Sequence, residues 1–308
     1  MVEAISILLI GLVLLLAGSN LLVTSTEKIK NYLSISGFFA SFFMMGVATS
    51  APEIFISIQS ALKNNTILAI GNGIGSNISN IALVFCISVL FMKRDLNSLS
   101  IPIRPFLSMI ILTASLFFLI LFDSYFDMYD SLTLIIILLI SFYYFISPDD
   151  EEIKSIENKK SVLLTMSLSA IALFMLIYGS DLFINGATNI AVIFGVSSYV
   201  IGLTLTAIGT SLPELAANIQ SARKGHNDFI IGNIIGSNIF NIAVAISLAG
   251  IISSSSVNID DFIRDILILS LFMLIFYFML KSNNNIIKTV YSMTLVITYI
   301  LYIVFLLK

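Results

Sequence analysis

The stretch GVATSAPEIFISIQSALKNNTILAIGNGIGSNISN, Gly46 to Asn80, places one carboxylate, Glu53, inside sequence that otherwise reads as membrane-spanning. It occurs twice: from Thr206 to Asn241 the chain reads TAIGTSLPELAANIQSARKGHNDFIIGNIIGSNIFN. The two copies keep one register without a gap. Gly18 pairs with Gly179, Glu53 with Glu214 and Asn80 with Asn241, each pair 161 residues apart, and roughly a third of the aligned residues are identical.

The rest of the chain agrees with a membrane setting. Of 308 residues 58% are hydrophobic and 11% charged, which places the protein among integral membrane proteins. The net charge of −3 carries little information because the charges sit in short loops, and no basic patch points to nucleic acid. One cysteine, Cys86, excludes an intrachain disulfide framework, and its apolar surroundings (IALVFCISVLF) predict a packed thiol. The first apolar run, ISILLIGLVLLLAG, lacks the basic start of a signal peptide and reads as a retained span.

Apolar stretches long enough to cross ~30 Å of hydrocarbon, about 20 residues each, fall near 4–25, 37–62, 67–92, 102–121 and 126–146, and again near 161–185, 197–222, 228–252, 264–280 and 286–307. The expected fold is therefore an all-α integral membrane protein with ten transmembrane helices. Residues 1–146 form a first five-span repeat around the 46–80 motif, and 161–308 a second around the 206–241 motif. The polar segment SPDDEEIKSIENKK, 147–160, joins them. Lys and Arg in alternate loops divide 12 to 3, which puts both termini outside and the 147–160 linker in the cytoplasm of a multi-pass protein of the cell membrane. An odd number of spans per repeat inverts the second copy, so Lys63 lies outside and its counterpart Lys224 inside. Inverted repeats are a transporter architecture with the binding site at the midplane, between broken helices.

The chemistry of the motif fits a cation. A charge at the centre of a span costs ~2.5–3.5 kcal/mol, and no Lys or Arg lies within a span to neutralise Glu53 or Glu214. Protonation, a wet cavity or a bound cation would each resolve this. Pro52 and Pro213 precede the glutamates, remove a helical hydrogen bond and free the carbonyls of Ala48 and Gly209. Ser76 with Asn80, and Ser237 with Asn241, stand four apart on one helix face and add neutral oxygens. Carboxylate, carbonyl and hydroxyl oxygens suit hard cations such as Ca²⁺ or Na⁺. The segments GNGIGSN (71–77) and GNIIGSN (232–238) carry GxxxG spacing for close helix approach; they lack the Gly-Lys-Ser/Thr ending of a nucleotide loop.

GVATSAPE and AIGTSLPE, each followed by GNxIGSNIxN, resemble the two alpha-repeats of the sodium/calcium exchanger family of cation/calcium antiporters. The resemblance implies that Glu53 and Glu214 bind Ca²⁺ with help from the backbone carbonyls of Thr49 and Thr210. It implies Na⁺ sites built from Ser76, Ser237 and carbonyls near Gly46 and Ala207, with Ser50 and Ser211 lining the path, and spans one and six moving against the rest. Where some members carry an aspartate this chain has Asn241, matching Asn80, so two carboxylates remain and potassium co-transport is not expected.

The implied activity is antiport of Ca²⁺ against Na⁺ by alternating access, without a cofactor, in a protein working in the lipid bilayer as a monomer. A proton/calcium exchanger on the same scaffold is the nearest alternative, and a passive cation channel another. An enzyme is not expected: Thr-Ser beside Glu offers hydroxyls, but no intramembrane histidine or lysine serves as base. Asn20 and Asp181 read as packing or vestibule residues, Gln59 and Gln220 as bonds across helices, and His226 as solvated.

Overall fold

The structure, a computed structural model, describes residues 1–92, 96, 99–145, 159–195 and 207–306. The linker 147–160 (apart from its last two residues), the start of the seventh expected span and the final two residues lie outside the described residues.

Helix α1 (Val2–Leu33) ends where Ser34 turns left-handed and its N–H reaches the Lys30 carbonyl. Ser36 then caps α2 (Gly37–Thr49), its hydroxyl accepting from the Phe39 N–H at 3.2 Å. At Ser50 the helix stops and restarts as α3 (Ala51–Leu62), bent by 41°. Pro52 sits in the first turn of α3, the one place in a helix where its missing N–H goes unused. Asn65 caps α4 (Thr66–Ser79), which runs into a π-turn (Asn80–Phe85) and then α5 (Cys86–Leu90). Helix α6 (Ile103–Asp123), a two-residue strand β1 (Tyr125–Phe126) and α7 (Met128–Phe145) follow.

The second half repeats the pattern. Helix α8 (Lys159–Ile193) matches α1; α9 (Ala207–Thr210) and α10 (Leu212–Lys224) break at Ser211, ahead of Pro213. Helix α11 (Asn227–Phe240) enters a π-turn (Asn241–Ile246) and continues as α12 (Ser247–Ile252). Strand β2 (Ser255–Ser256), α13 (Ile259–Lys281) and α14 (Asn285–Leu306) complete the described chain. The two π-turns begin 161 residues apart, at Asn80 and Asn241.

Among the described residues seven helical segments are long and apolar enough to cross a membrane, and the bent α2–α3 pair makes an eighth. Helix α7 is apolar but short, and α10 carries Asn218, Gln220, Arg223 and Lys224, so neither meets that standard. Among the described residues the all-helical expectation is modified only by the β1–β2 pair, whose Tyr125 faces Ser256 and Phe126 faces Ser255 in antiparallel register.

Successive loops meet at two separate ends. At one, Thr66 donates to the Ser253 carbonyl (2.5 Å), Ser253 to Asn64 (3.3 Å), and the Val257 N–H to the Ser124 carbonyl (2.8 Å). At the other, Gln220 donates to Asn20 (2.9 Å), Lys30 pairs with Asp228 (3.7 Å) and Lys288 donates to the Leu96 carbonyl (2.7 Å). The α4-to-α5 and α11-to-α12 segments form the centre: 72% and 83% of their apolar windows are buried, against 11% for α14. Helices α1 and α8 pack antiparallel through small residues. A Cβ on Gly11 would sit 2.7 Å from the Gly179 carbonyl, and one on Gly18 3.1 Å from the Ala172 carbonyl. Those two contacts exchange under the 161-residue offset.

Candidate cation-binding site

Glu53 and Glu214 each stand third in a helix that begins at a break, α3 and α10, and both are fully buried. The partial positive charge of a helix N-terminus favours a carboxylate there by ~0.3–1 kcal/mol, too little to offset burial of a full charge. Ser76 donates to Glu53 Oε1 at 3.4 Å, but among the described residues Glu53 Oε2 and both carboxylate oxygens of Glu214 accept no hydrogen bond. Among the described residues no Lys, Arg or His pairs with either group, and no cluster of three or more His, Cys, Asp or Glu surrounds them. Two acidic groups with neutral oxygens around them are what the structure assembles.

Those neutral oxygens come from the matched positions. The hydroxyls of Ser50 and Ser211, at the two helix breaks, are buried and without partners among the described residues. Asn80 and Asn241 open the π-turns. Each donates its amide across the centre, Asn80 to Asn238 Oδ1 and Asn241 to Asn77 Oδ1, both at 3.1 Å. Each keeps its own Oδ1 buried and without a donor among the described residues. The Asn77 amide reaches the Asn238 carbonyl at 3.0 Å. Asn77 and Asn238 are themselves 161 apart, so this bond joins matched residues and the reciprocal pair exchanges under the same offset.

The remaining expected residues are less equivalent. Thr49 Oγ1 meets Ser237 Oγ (3.2 Å) and donates to Asn233 Oδ1 (3.2 Å), and Asn233 in turn donates to Asn218 (2.9 Å). Ser237 also donates to the Gly46 carbonyl at 3.5 Å, which the Ser50 N–H approaches at 3.3 Å. That carbonyl is thus shared with protein donors. At the matched positions the Ser57 hydroxyl and the Asn72 Nδ2 make no hydrogen bond among the described residues. Thr210 closes α9 and Ala207 opens it. The Gly209 carbonyl, freed by Pro213 as expected, receives the Ser180 hydroxyl from α8 at 2.7 Å.

Residues named outside the centre stay outside it. Asn20 bonds Gln220, and Asp181 accepts from Asn185 in an exposed position. Cys86 is a buried free thiol. The expectation for His226 needs correcting: its ring stacks on Phe229 (4.6 Å) and its Nε2 lies 3.5 Å from Glu27, because the short α10–α11 turn folds it onto the end of α1. Asn77, Asn233, Asn218 and Asn238 were not expected as members of the site. Asn77 and Asn238, like Asn72 and Asn233, recur at the 161-residue offset, a signal that pointed to them; Asn218 replaces Ser57 and gave none.

The sequence profile of the family described as "Sodium/calcium exchanger protein" matches residues 3–147 and again 164–308. A membrane protein of Methanocaldococcus jannaschii, itself uncharacterised, is 33% identical over 246 residues, covering 79% of this chain and 80% of its own. The sodium/calcium exchanger MaX1 of Methanosarcina acetivorans is 28% identical over 301 residues, 82% of this chain and 83% of its own. Among solved structures, the sodium-calcium exchanger NCX_Mj, soaked with Na⁺ and Sr²⁺, superposes with a TM-score of 0.82 at 28% identity, covering 98% of this chain and 97% of its own. With a matching profile over nearly its whole length and an exchanger-like fold, this chain belongs to the sodium/calcium exchanger protein family of membrane antiporters.

Proposed function

We propose that the protein exchanges Ca²⁺ for Na⁺ across the cell membrane by alternating access, with Glu53 and Glu214 as the shared carriers of charge. The observation that carries this reading is the set of three buried carboxylate oxygens, Glu53 Oε2 and both of Glu214, that no donor among the described residues satisfies. One Ca²⁺, or several Na⁺, would neutralise them. Thr49 and Thr210 would add backbone carbonyls. Ser76, Ser237, Gly46 and Ala207 would serve the sodium sites, Asn80 and Asn241 would offer their unused Oδ1 atoms, and Ser50 and Ser211 would line the path.

In this reading the chain crosses the bilayer ten times. Residues 1–146 and 161–308 are inverted repeats, the 147–160 linker is cytoplasmic, the termini are outside, and the monomer transports without a cofactor. The alternation of loops between two ends and the exchange of contacts under one offset support it. Moving the empty site past an apolar barrier would carry two uncompensated charges, at ~2.5–3.5 kcal/mol each on insertion scales. Loading removes that penalty, which ties the conformational switch to bound ions and makes exchange obligatory.

Uptake of ⁴⁵Ca²⁺ into Na⁺-loaded proteoliposomes tests the proposal. Uptake should follow the outward Na⁺ gradient and fall to background in Glu53→Gln with Glu214→Gln. Uptake that ignores Na⁺ and follows a pH gradient instead would assign protons as the counter-ion, and uptake that survives both substitutions would remove the glutamates from the mechanism.

A further inference from the structure

Four residues beyond each glutamate, on the same helix face, stands a buried polar residue: Ser57 on α3 and Asn218 on α10, matched under the 161-residue offset. Helices α4 and α11 supply what faces them. Ser76 donates to Glu53 Oε1 (3.4 Å), so one turn back along α4 Asn72 comes level with Ser57. One turn back from Ser237 on α11 is Asn233, and there the pairing is made: Asn233 Nδ2 donates to Asn218 Oδ1 at 2.9 Å. At the first-half level Ser57 Oγ and Asn72 Nδ2 are buried and make no bond among the described residues. A serine hydroxyl is shorter than an asparagine amide and does not span the gap.

The two levels lie on opposite sides of the glutamates. Helix α3 runs from the break at Ser50 toward the end where Thr66 meets Ser253, and α10 from Ser211 toward the end where Gln220 meets Asn20. On the Gln220 side the amide acceptors are taken, Asn218 Oδ1 by Asn233 and Asn233 Oδ1 by Thr49 (3.2 Å). Asn218 Nδ2 is buried there without an acceptor among the described residues, so a cation meets N–H donors. On the Thr66 side Ser57 Oγ keeps its lone pairs, one helical turn from a Glu53 Oε2 that also lacks a donor. The Gln220 end is closed further out as well, since Lys224 donates to Thr24 (2.5 Å) and His226 lies 3.5 Å from Glu27, both on α1. At the other end the matched Lys63 is exposed, and Asp181, the counterpart of Asn20, accepts from Asn185 of its own helix. We propose that Asn218 and Asn233 form a gate that shuts the ion path on the Gln220 side, and that Ser57 marks the entry on the Thr66 side, its hydroxyl passing the cation to Glu53. The asparagines act by holding α10 to α11, not as ligands. The single Ser57/Asn218 difference thus makes the two ends unequal. The gate rests on the reading of the glutamates as an ion site, but not on which ions are exchanged.

Side-specific labelling tests the gate without any transport. In a Cys86→Ser, Ser50→Cys background the introduced thiol sits at the helix break, between the two levels. In right-side-out and inverted vesicles free of Na⁺ and Ca²⁺, a small cationic methanethiosulfonate should modify it from the side on which Lys63→Cys reacts and not from the other. Asn218→Ser should raise modification from the Gln220 side about tenfold, the change that one net hydrogen bond produces, and continued labelling from the Thr66 side reports an intact fold. Ser57→Asn, which builds the same bridge at the other level, should lower labelling from the Thr66 side about tenfold. With Ser50 and Cys86 native, the initial rate of ⁴⁵Ca²⁺ uptake should fall in Ser57→Asn and recover when Asn218→Ser is added, because the pair of changes only exchanges the gates between the ends. Unchanged labelling from the Gln220 side in Asn218→Ser overturns the gate, as does a double variant as slow as Ser57→Asn alone. Labelling as expected in a protein that takes up no ⁴⁵Ca²⁺, even unsubstituted, supports the gate and overturns calcium exchange instead.

Discussion

Asn77 and Asn238 each accept the amide of the asparagine that opens the opposite π-turn, and this reciprocal pair joins the two halves at the depth of the glutamates. Removing one acceptor strands a buried donor. Asn238→Ala leaves the Asn80 amide without its partner, and a buried group orphaned in this way costs ~1–3 kcal/mol. The thermal midpoint of the purified protein in detergent should fall accordingly; an unchanged midpoint would show that the pair does not bind the halves together. Glu53 and Glu214 were legible in the sequence because a charge within an apolar run stands out and because it recurs. The asparagine pairing was not. An amide can donate or accept with equal ease, and which it does is set by what faces it across space.

Helix breaks and π-turns give the site its shape. The breaks at Ser50 and Ser211 could be anticipated, since proline cannot continue a helix without losing a bond. The π-turns at 80–85 and 241–246 could not, because their residues are as apolar and as helix-compatible as those around them. Such turns recur at functional sites, where the extra residue in the turn redirects side chains; here they begin at the two asparagines whose amides cross the centre. Close packing of α2 on α11 also works at this scale. A Cβ on Gly236 would come 2.8 Å from the Phe42 carbonyl and 3.4 Å from Gly46 Cα, whereas one on Gly75, its counterpart by offset, meets no atom of the described residues within 4 Å. Gly236→Ala should therefore push α2 away, destabilise the protein by ~1–3 kcal/mol and lower the initial rate of ⁴⁵Ca²⁺ uptake. An unchanged midpoint in Gly236→Ala would mean that the contact is not restrictive.

For the molecule as a whole, the two ends defined by loop contacts match the two sets of loops separated by their Lys and Arg content. Lys63 and Asn283 are exposed at opposite ends. In a Cys86→Ser background, Lys63→Cys should react with an impermeant maleimide on intact cells and Asn283→Cys only after permeabilisation; the reverse pattern would invert the proposed orientation. By itself the sequence determined the membrane class, the repeat, the two carboxylates and the places where helices break, because each follows from a local property: hydropathy over a span, a charge without a nearby counter-charge, or a missing backbone N–H. Only the tertiary structure decided which oxygens remain without donors among the described residues, that Ser180 takes the Gly209 carbonyl, that His226 stacks on Phe229, and that Asn233 bridges Thr49 and Asn218. Those outcomes depend on the distance and orientation between segments far apart in the chain, and two nearly identical motifs can settle into different partners once each is packed against its own neighbours.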